Sequence, residues 1–371
     1  MSTLLKSGDF RSIVINHTPL IDVRSPIEFT KGAFPYSVNL PLMSDEERHQ
    51  VGICYKEQGN KKAIELGHQL VRGQDRENRI DRWRDFIADH PDAKLYCFRG
   101  GERSKISQEW LSHRGIDIIR LDGGYKAFRE YLIGILENSN ELFNPIILGG
   151  RTGSGKTALL QEIDNMIDLE ALANHRGSSF GRYITPQPTQ IDFENALAYR
   201  LLEKIELGMN HILFEDEGRN IGQSYLPSRF AKYLSQAPLI VLEIDIQDRV
   251  DITFEEYVVS AQKLYMDSGV DDPISEWSRD IKSAMRRIER RLGGLRYKKL
   301  IDIFTDAIEI QKSNDLLDAH RAWVEYLLRE YYDPMYDYQI EKRSGQILFR
   351  GDREEVLEYV SKFRIFDPKS R

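Results

Sequence analysis

The chain has 371 residues, of which 41% are hydrophobic and 30% charged, with a formal net charge of −7. Its length favours two domains, and its composition is that of a soluble globular protein with ample core. Net acidity excludes a broadly basic nucleic-acid coat, though not a local basic face. No run of 18 or more apolar residues is present, so no membrane span is expected. The opening MSTLLKSGDF lacks the apolar stretch of a signal peptide, and a cytosolic protein is expected. The two cysteines, Cys54 and Cys97, cannot staple a chain of this size. No Cys/His cluster has structural-zinc spacing.

To about residue 136, short strands and helices alternate. SIVIN (12–16) and PLIDVR (19–24) read as strands, and DRENRIDRWRDFIADHP (75–91) reads as a helix stopped by Pro91. KLYCF (94–98) is a strand running into a glycine loop, and IDIIRLDGG (116–124) is a further strand. Such alternation predicts a mostly parallel α/β sheet. The polar stretch ENSNELFNP (137–145) then leads into IILGGRTGSGKTALLQEI (146–163), which reads as a buried strand, a glycine loop and a helix. HILFEDEGR (211–219) and APLIVLEID (237–245) supply more central strands, and the chain reads as mostly helical from about 250. The expected division is an α/β domain over 1–136 and a P-loop α/β domain with a helical C-terminal part over 141–371.

Cys97 ends its strand, and FRGGE separates it from Arg103, a Cys-x5-Arg spacing. Gly100 and Gly101 let the backbone fold its amides inward as an anion nest, with Arg99 and Arg103 adding cationic donors. A cysteine so placed ahead of a helix is expected to be a thiolate, acting as nucleophile or chalcogen carrier. The plainer alternative is a buried strand-end cysteine. PLIDVRSPIEFTKGAFPYSVNLPL (19–42) and LDGGYKAFR (121–129) resemble the opening and closing signatures of the rhodanese domain. In that comparison Phe128 stands where tryptophan is usual, and the loop is one residue longer than the Cys-x4-Arg of sulfurtransferases. The longer spacing resembles the dual-specificity phosphatase relatives of rhodanese. It points to a tetrahedral, phosphate-sized group rather than simple thiosulfate chemistry. Cys54 lies in a segment longer than a minimal rhodanese has, and no role is assigned to it.

Gly150-x4-Gly155-Lys156-Thr157, with Gly153 between, fits the Walker A pattern, and the preceding PIIL supplies its strand. The loop amides and the helix start would hold a diphosphate, Lys156 would reach the outer phosphates, and Thr157 would serve Mg²⁺. A metal-side acid is expected at the end of HILFEDEGR, where the sequence does not choose among Glu215, Asp216 and Glu217. With no Asn-Lys-x-Asp element, the loop implies diphosphate affinity without saying which molecule carries it. DLEALANHRGSSFGRYITPQPTQIDFENAL (168–197) holds His175 and Arg176 in a polar loop, candidates to face substrate or metal. Between 279 and 299, nine of 21 residues are Lys or Arg. Arg286, Arg287, Arg290 and Arg291 align at i, i+4 for phosphate contacts; the alternative is a solvated helix face with Glu289 in partial compensation.

Together, the rhodanese-like start, the cysteine loop, GGRTGSGKT, DLEALANHRGSSFG, PQPTQIDFE and YYDPMYDYQ resemble the tRNA 2-selenouridine synthase family over essentially the full chain. That resemblance implies action on 2-thiouridine at the wobble position of the tRNAs for Lys, Glu and Gln. Sulfur would be replaced by selenium from selenophosphate, with geranylation of the sulfur from geranyl diphosphate and an S-geranyl nucleoside as intermediate. Cys97 would match the essential rhodanese cysteine, and Gly150, Gly155, Lys156 and Thr157 the P-loop. Two anion cradles would then serve one extruded base, in a chain expected to be monomeric by default. Two alternatives stay open at this point: a rhodanese-type phosphatase or sulfurtransferase fused to a P-loop ATPase or kinase, and a non-catalytic phosphate- or tRNA-binding module.

Overall fold

The computed structural model describes residues 4–181, 183–342 and 345–362. The chain forms two compact units, Met1–Asn138 with Thr189–Leu207, and Ser139–Pro188 with Gly208–Arg371. Each is built on its own five-stranded sheet, and all pairings in both sheets are parallel.

In the first unit the strands are β1 (Leu4–Leu5), β2 (Leu20–Asp22), β3 (Ser37–Asn39), β4 (Lys94–Tyr96) and β5 (Ile119–Leu121), in the order β1-β5-β4-β2-β3. The run SIVIN is not a strand. It lies in the helix Phe10–Ile15, whose buried residues are Phe10, Ile13 and Val14. Those fall at i, i+3 and i+4, so one helical face outweighs the β-branched composition. A long helical segment, Asp45–Leu70, starts at a capping box between Ser44 and Glu47 and is broken at Gly59, with φ of 81°. Val51 lies 3.9 Å from where a Cβ on Gly67 would sit. In a straight helix those residues would stand about 24 Å apart, so the two halves fold back on each other as a hairpin. The helix Gln190–Glu206, expected with the second domain, belongs to the first unit. Its Phe193, Leu197 and Leu201 are buried, Asp192 accepts from Ala33 N at 2.7 Å, and Asn195 donates to Ala33 O at 2.6 Å. Arg129 of the helix Gly124–Glu137 pairs with Glu194 and Asn195.

The second unit holds β6 (Asn144–Gly150), β7 (Met166–Ile167), β8 (His211–Glu215), a small hairpin β9 (Asn220–Ile221) and β10 (Ser224–Tyr225), β11 (Leu239–Leu242) and β12 (Ile347–Gly351). The sheet order is β12-β11-β6-β8-β7, so β6, with the glycine loop after it, is central. The edge strand β12 falls where the sequence read as helical tail. Its ILFRG is a five-residue run that only pairing with β11 makes a strand. The helices Pro273–Leu292, Gly294–Asn314 and Arg321–Leu327 enclose a separate apolar core around Trp277, Met285, Phe304 and Trp323. Among the described residues, no helix is long and apolar enough to cross a membrane.

His320 is fully buried in that core. Trp323 Nε1–H donates to its Nδ1 at 2.9 Å, which leaves the proton on Nε2, 2.8 Å from Gln311 Oε1. Burial pushes the imidazole down to about 4. The unfolded ring titrates near 6.5, so between those values the unfolded chain takes up a proton that the folded one refuses. Stability is present above the unfolded value and is lost as pH falls toward about 4. The unfolding midpoint of the wild-type helical core is expected to drop on acidification across that window, and to drop less in His320→Gln. Equal pH slopes for the two proteins would count against a neutral buried imidazole.

Candidate functional site

Cys97 leaves β4 at the floor of a cavity of about 860 Å³ in the first unit. The loop after it is tied from one side. Tyr125 N donates to Cys97 O at 2.8 Å, Lys126 N to Phe98 O at 2.9 Å, and Arg120 Nη1 to Gly100 O at 2.9 Å. Because trans peptides place N–H opposite C=O, the amides of Phe98, Arg99 and Gly101 point away from that segment. Gly124 makes this approach possible: its φ is +58°, and a Cβ there would overlap Cys97 O and Gly100 N. Gly101 caps the helix Glu102–Ser112, whose first-turn amides follow the loop. Cys97 Sγ lies 3.3 Å from Ser104 Oγ, whose own proton goes to Gly101 O.

The arginines have unequal roles. Arg99 is exposed on the cavity wall. Arg103, expected to be a fork for an anion, pairs with Glu28 at 2.5 Å, and Arg48 stands 3.7 Å from the same carboxylate. Burial alone would raise the Glu28 carboxyl, but the hydrogen bond and charge of Arg103 hold it below the ordinary range. Beneath them Arg24 and Asp22 form a buried bidentate pair, with Arg24 also donating to Gly32 O and lying 3.8 Å from the Tyr125 ring centre. Removing either partner would strand a buried charge, a loss of about 3–5 kcal/mol. Phe128 fills its place completely, packed with Phe10, Phe34 and Tyr131.

In the second unit, Gly150, Gly153 and Gly155 all have positive φ. A Cβ on Gly153 would overlap Thr253 Oγ1 and sit 2.8 Å from Arg249 O. Lys156 Nζ donates to Gly150 O at 2.7 Å, and Thr157 is half-buried on the next turn. The helix that follows is short, Lys156–Leu160, so its dipole adds little beside the loop amides. Arg249, only 2% exposed, donates to Thr152 O at 2.9 Å and pairs with Asp333 at 2.5 Å. Arg151 reaches Asp337 at 2.7 Å. Ser154 Oγ and Thr253 Oγ1 are buried with no hydrogen-bond partner among the described residues, which suits a ligand rich in oxygen.

Acids crowd the other side of Lys156. Glu215 ends β8, 2% exposed, and one of its oxygens accepts from Glu170 N at 3.1 Å. Burial raises Glu215, with Asp168 adding to it. Glu170 is pushed up to about 10 by burial first and by the charges of Glu215 and Glu217 second. Burial also raises Glu217, and raises Glu256 despite Arg176 and Lys156 nearby. Asp216 hangs beside Gly149. No group of three or more His, Cys, Asp and Glu among the described residues is set to hold a metal ion.

Residues 143–365 match the family model described as the tRNA 2-selenouridine synthase AAA domain. The tRNA 2-selenouridine synthase of a Sulfurovum species is 58% identical over 98% of this chain and 100% of its own length. The chain belongs to the tRNA 2-selenouridine synthase family. Other members of like similarity come from Marinobacter nauticus, 47% identical over 97% of this chain and 98% of that protein, and Hydrogenovibrio crunogenus, 48% over 96% and 98%.

Within this tRNA 2-selenouridine synthase framework the remaining candidates separate. Arg176 stacks on Tyr183, 4.4 Å from the ring centre, and lies 5.2 Å from that of Tyr257, on the Lys156 side of the unit. His175 is buried, with its ring edge against Gly222 rather than in an open loop. Arg286, Arg287, Arg290 and Arg291 all lie on the exposed face of the helix Pro273–Leu292. Arg287 is committed to Ser179 O at 2.6 Å, while Arg286, Arg290 and Arg291 have no ion-pair partner among the described residues. Sequence reasoning missed Glu28, Glu170, Arg249 and Asp333 as site residues. Glu28, Glu170 and Asp333 lie inside motifs already recognised; Arg249 carries no local signal.

The raised carboxyl of Glu170 sets a sign for pH. Folded, it keeps its proton to about 10, whereas the unfolded side chain loses it near 4.5. Stability is thus complete below the unfolded value and is lost as pH rises through the folded one. Glu170→Gln keeps the shape without the titration. Its unfolding midpoint should fall less than wild type between about pH 6 and about pH 9, and an unchanged slope would mean that Glu170 is already ionised in the fold.

Proposed function

We propose that the chain replaces sulfur by selenium in the wobble 2-thiouridine of tRNAs for Lys, Glu and Gln, through an S-geranyl intermediate. The observation that carries this reading is a thiol on the floor of a cation-lined cavity in one unit, and a complete Walker A loop on the central strand of the other, in a member of this family.

The chemistry divides accordingly. In the first step the thiocarbonyl sulfur bonds to C1 of geranyl diphosphate, the C1–O bond breaks, diphosphate leaves, and N3 of the base gives up its proton to water. Its developing charge is the main electrostatic load. The Gly150–Thr157 loop is the reading's site for that group, with Lys156 neutralising the leaving oxygens and Arg151 within reach of the same loop. In the second step selenium of selenophosphate attacks C2, the C2–S bond breaks, and geranyl thiol departs. The Cys97 sulfur then bonds to phosphorus as the P–Se bond breaks, leaving selenium on C2, and water frees phosphate from the cysteine. Alkylation turns a thiocarbonyl sulfur into a group that can leave, which is why a diphosphate loop and a thiol are useful to one enzyme. Cys97 handles selenium in this scheme, with Arg99 and the loop amides facing the tetrahedral donor. The exposed Arg286, Arg290 and Arg291 suit tRNA phosphates, which position the RNA without reading its sequence.

Mass spectrometry of nucleosides from tRNA incubated with geranyl diphosphate and selenophosphate tests the assignment. Cys97→Ser should accumulate S-geranyl-2-thiouridine and make no 2-selenouridine. Lys156→Ala should make neither product from 2-thiouridine tRNA. Selenation at full rate by Cys97→Ser with loss of geranylation would reverse the two sites, and steady ATP hydrolysis with no change in tRNA would replace this reading by the phosphatase–ATPase one.

A further inference from the structure

The cavity over Cys97 is much larger than a tetrahedral oxyanion requires. About 860 Å³ falls in the range of pockets that hold drug-sized organic ligands, roughly 300–1,000 Å³. Its lining is split by chemistry. Lys31, Lys56 and Arg99 line it with no ion-pair partner among the described residues, beside the Arg48 and Arg103 that share Glu28. Six of its lining residues are Lys or Arg and two are Glu, a local excess of positive charge in a chain of net charge −7. The same lining carries the apolar side chains of Leu42, Met43, Val51, Ile64, Ile106 and Trp110.

The helical hairpin bent at Gly59, the segment that exceeds a minimal rhodanese, supplies Val51 and Ile64 together with the cations Arg48 and Lys56. Ile53 is 43% exposed and Tyr55 58% on its first half, and Phe98 is 37% exposed on the cysteine loop itself. Large apolar side chains turned to solvent around one cavity mark a binding surface rather than unfinished core. An anion alone gains nothing from them.

We infer that this cavity seats the prenyl chain of the S-alkylated thiouridine while selenium displaces it, with the cationic side taking the phosphates of the same nucleotide. This rests on the functional reading above and adds a subsite to it. The occupant is the RNA-borne chain rather than free geranyl diphosphate. A polyanion carrying an apolar chain matches both kinds of lining, Cys97 lines the same cavity, and a diphosphate has its own loop after β6.

Binding of the full-length chain to anticodon stem-loop RNAs with S-geranyl- or S-methyl-2-thiouridine tests this. Wild type should prefer the geranyl RNA by about tenfold or more, the scale set by burying several methylenes. Ile53→Asn and Tyr55→Ser change exposed side chains, so folding is not at stake, and Ile64→Trp fills the wall. Each should reduce the geranyl-to-methyl ratio several-fold, whereas Lys156→Ala should keep it. The inference is overturned if wild type shows no chain preference, if the wall variants leave the ratio intact, or if Lys156→Ala abolishes it. It is also overturned if geranyl diphosphate competes with the geranyl RNA on Lys156→Ala and the Ile53→Asn substitution weakens that competition, because the free donor is then the occupant. The functional reading fails separately, when wild type neither geranylates nor selenates tRNA; with both reactions intact and the preference missing, only the prenyl subsite falls.

Discussion

Both anion-type loops depend on a guanidinium that takes one of their carbonyls from behind. Arg120 holds Gly100 O and Arg249 holds Thr152 O, each at 2.9 Å. A loop can turn successive amides to one side only if its carbonyls are satisfied on the other, because a buried, unpaired carbonyl is costly. The two solutions differ in their anchoring. Arg249 is locked by a carboxylate, Asp333, and is almost wholly buried. Arg120 is oriented by Gln108, and its loop gets further support from the backbone of Tyr125 and Lys126. Gly124 then lets the backbone come close enough for the loop over Cys97 to close.

The two sites settle their buried carboxyls in different ways. Around Cys97, buried or half-buried carboxylates are each matched by arginine, Asp22 by Arg24 and Glu28 by Arg103, and further cations remain on the wall. Anionic donors are favoured there. Around Lys156, several glutamates are crowded, and burial raises the carboxyls of Glu170, Glu215, Glu217 and Glu256, Glu170 to about 10. A carboxyl that keeps its proton repels an anion less than an ionised one does.

The two glycine loops were legible as loops because each is contiguous, Cys97 to Arg103 and Gly150 to Thr157, whereas the pairing of Arg103 with Glu28 was not. The parallel α/β character followed from alternating strand and helix patterns. What resisted reading is non-local. SIVIN has strand composition but buries a helical face; β12 is a strand only because β11 lies beside it; and Gln190–Glu206 joins the first unit through Ala33, far away in sequence. The same holds in the sites. Asp22, Arg24 and Glu28 were visible as signature residues, yet their work, clamping one another and Arg103, exists only once the chain is folded. Arg249 and Asp333 are 84 positions apart, and no periodicity links them.

The central claim is that thiol and lysine act in succession, each dispensable once its own step is done. The direct measurement supplies purified tRNA already carrying S-geranyl-2-thiouridine, together with selenophosphate, and follows formation of 2-selenouridine. The account predicts that Lys156→Ala forms product at close to the wild-type rate, whereas Cys97→Ser forms none. A Lys156→Ala protein that binds this tRNA but cannot selenate it would contradict the division of labour.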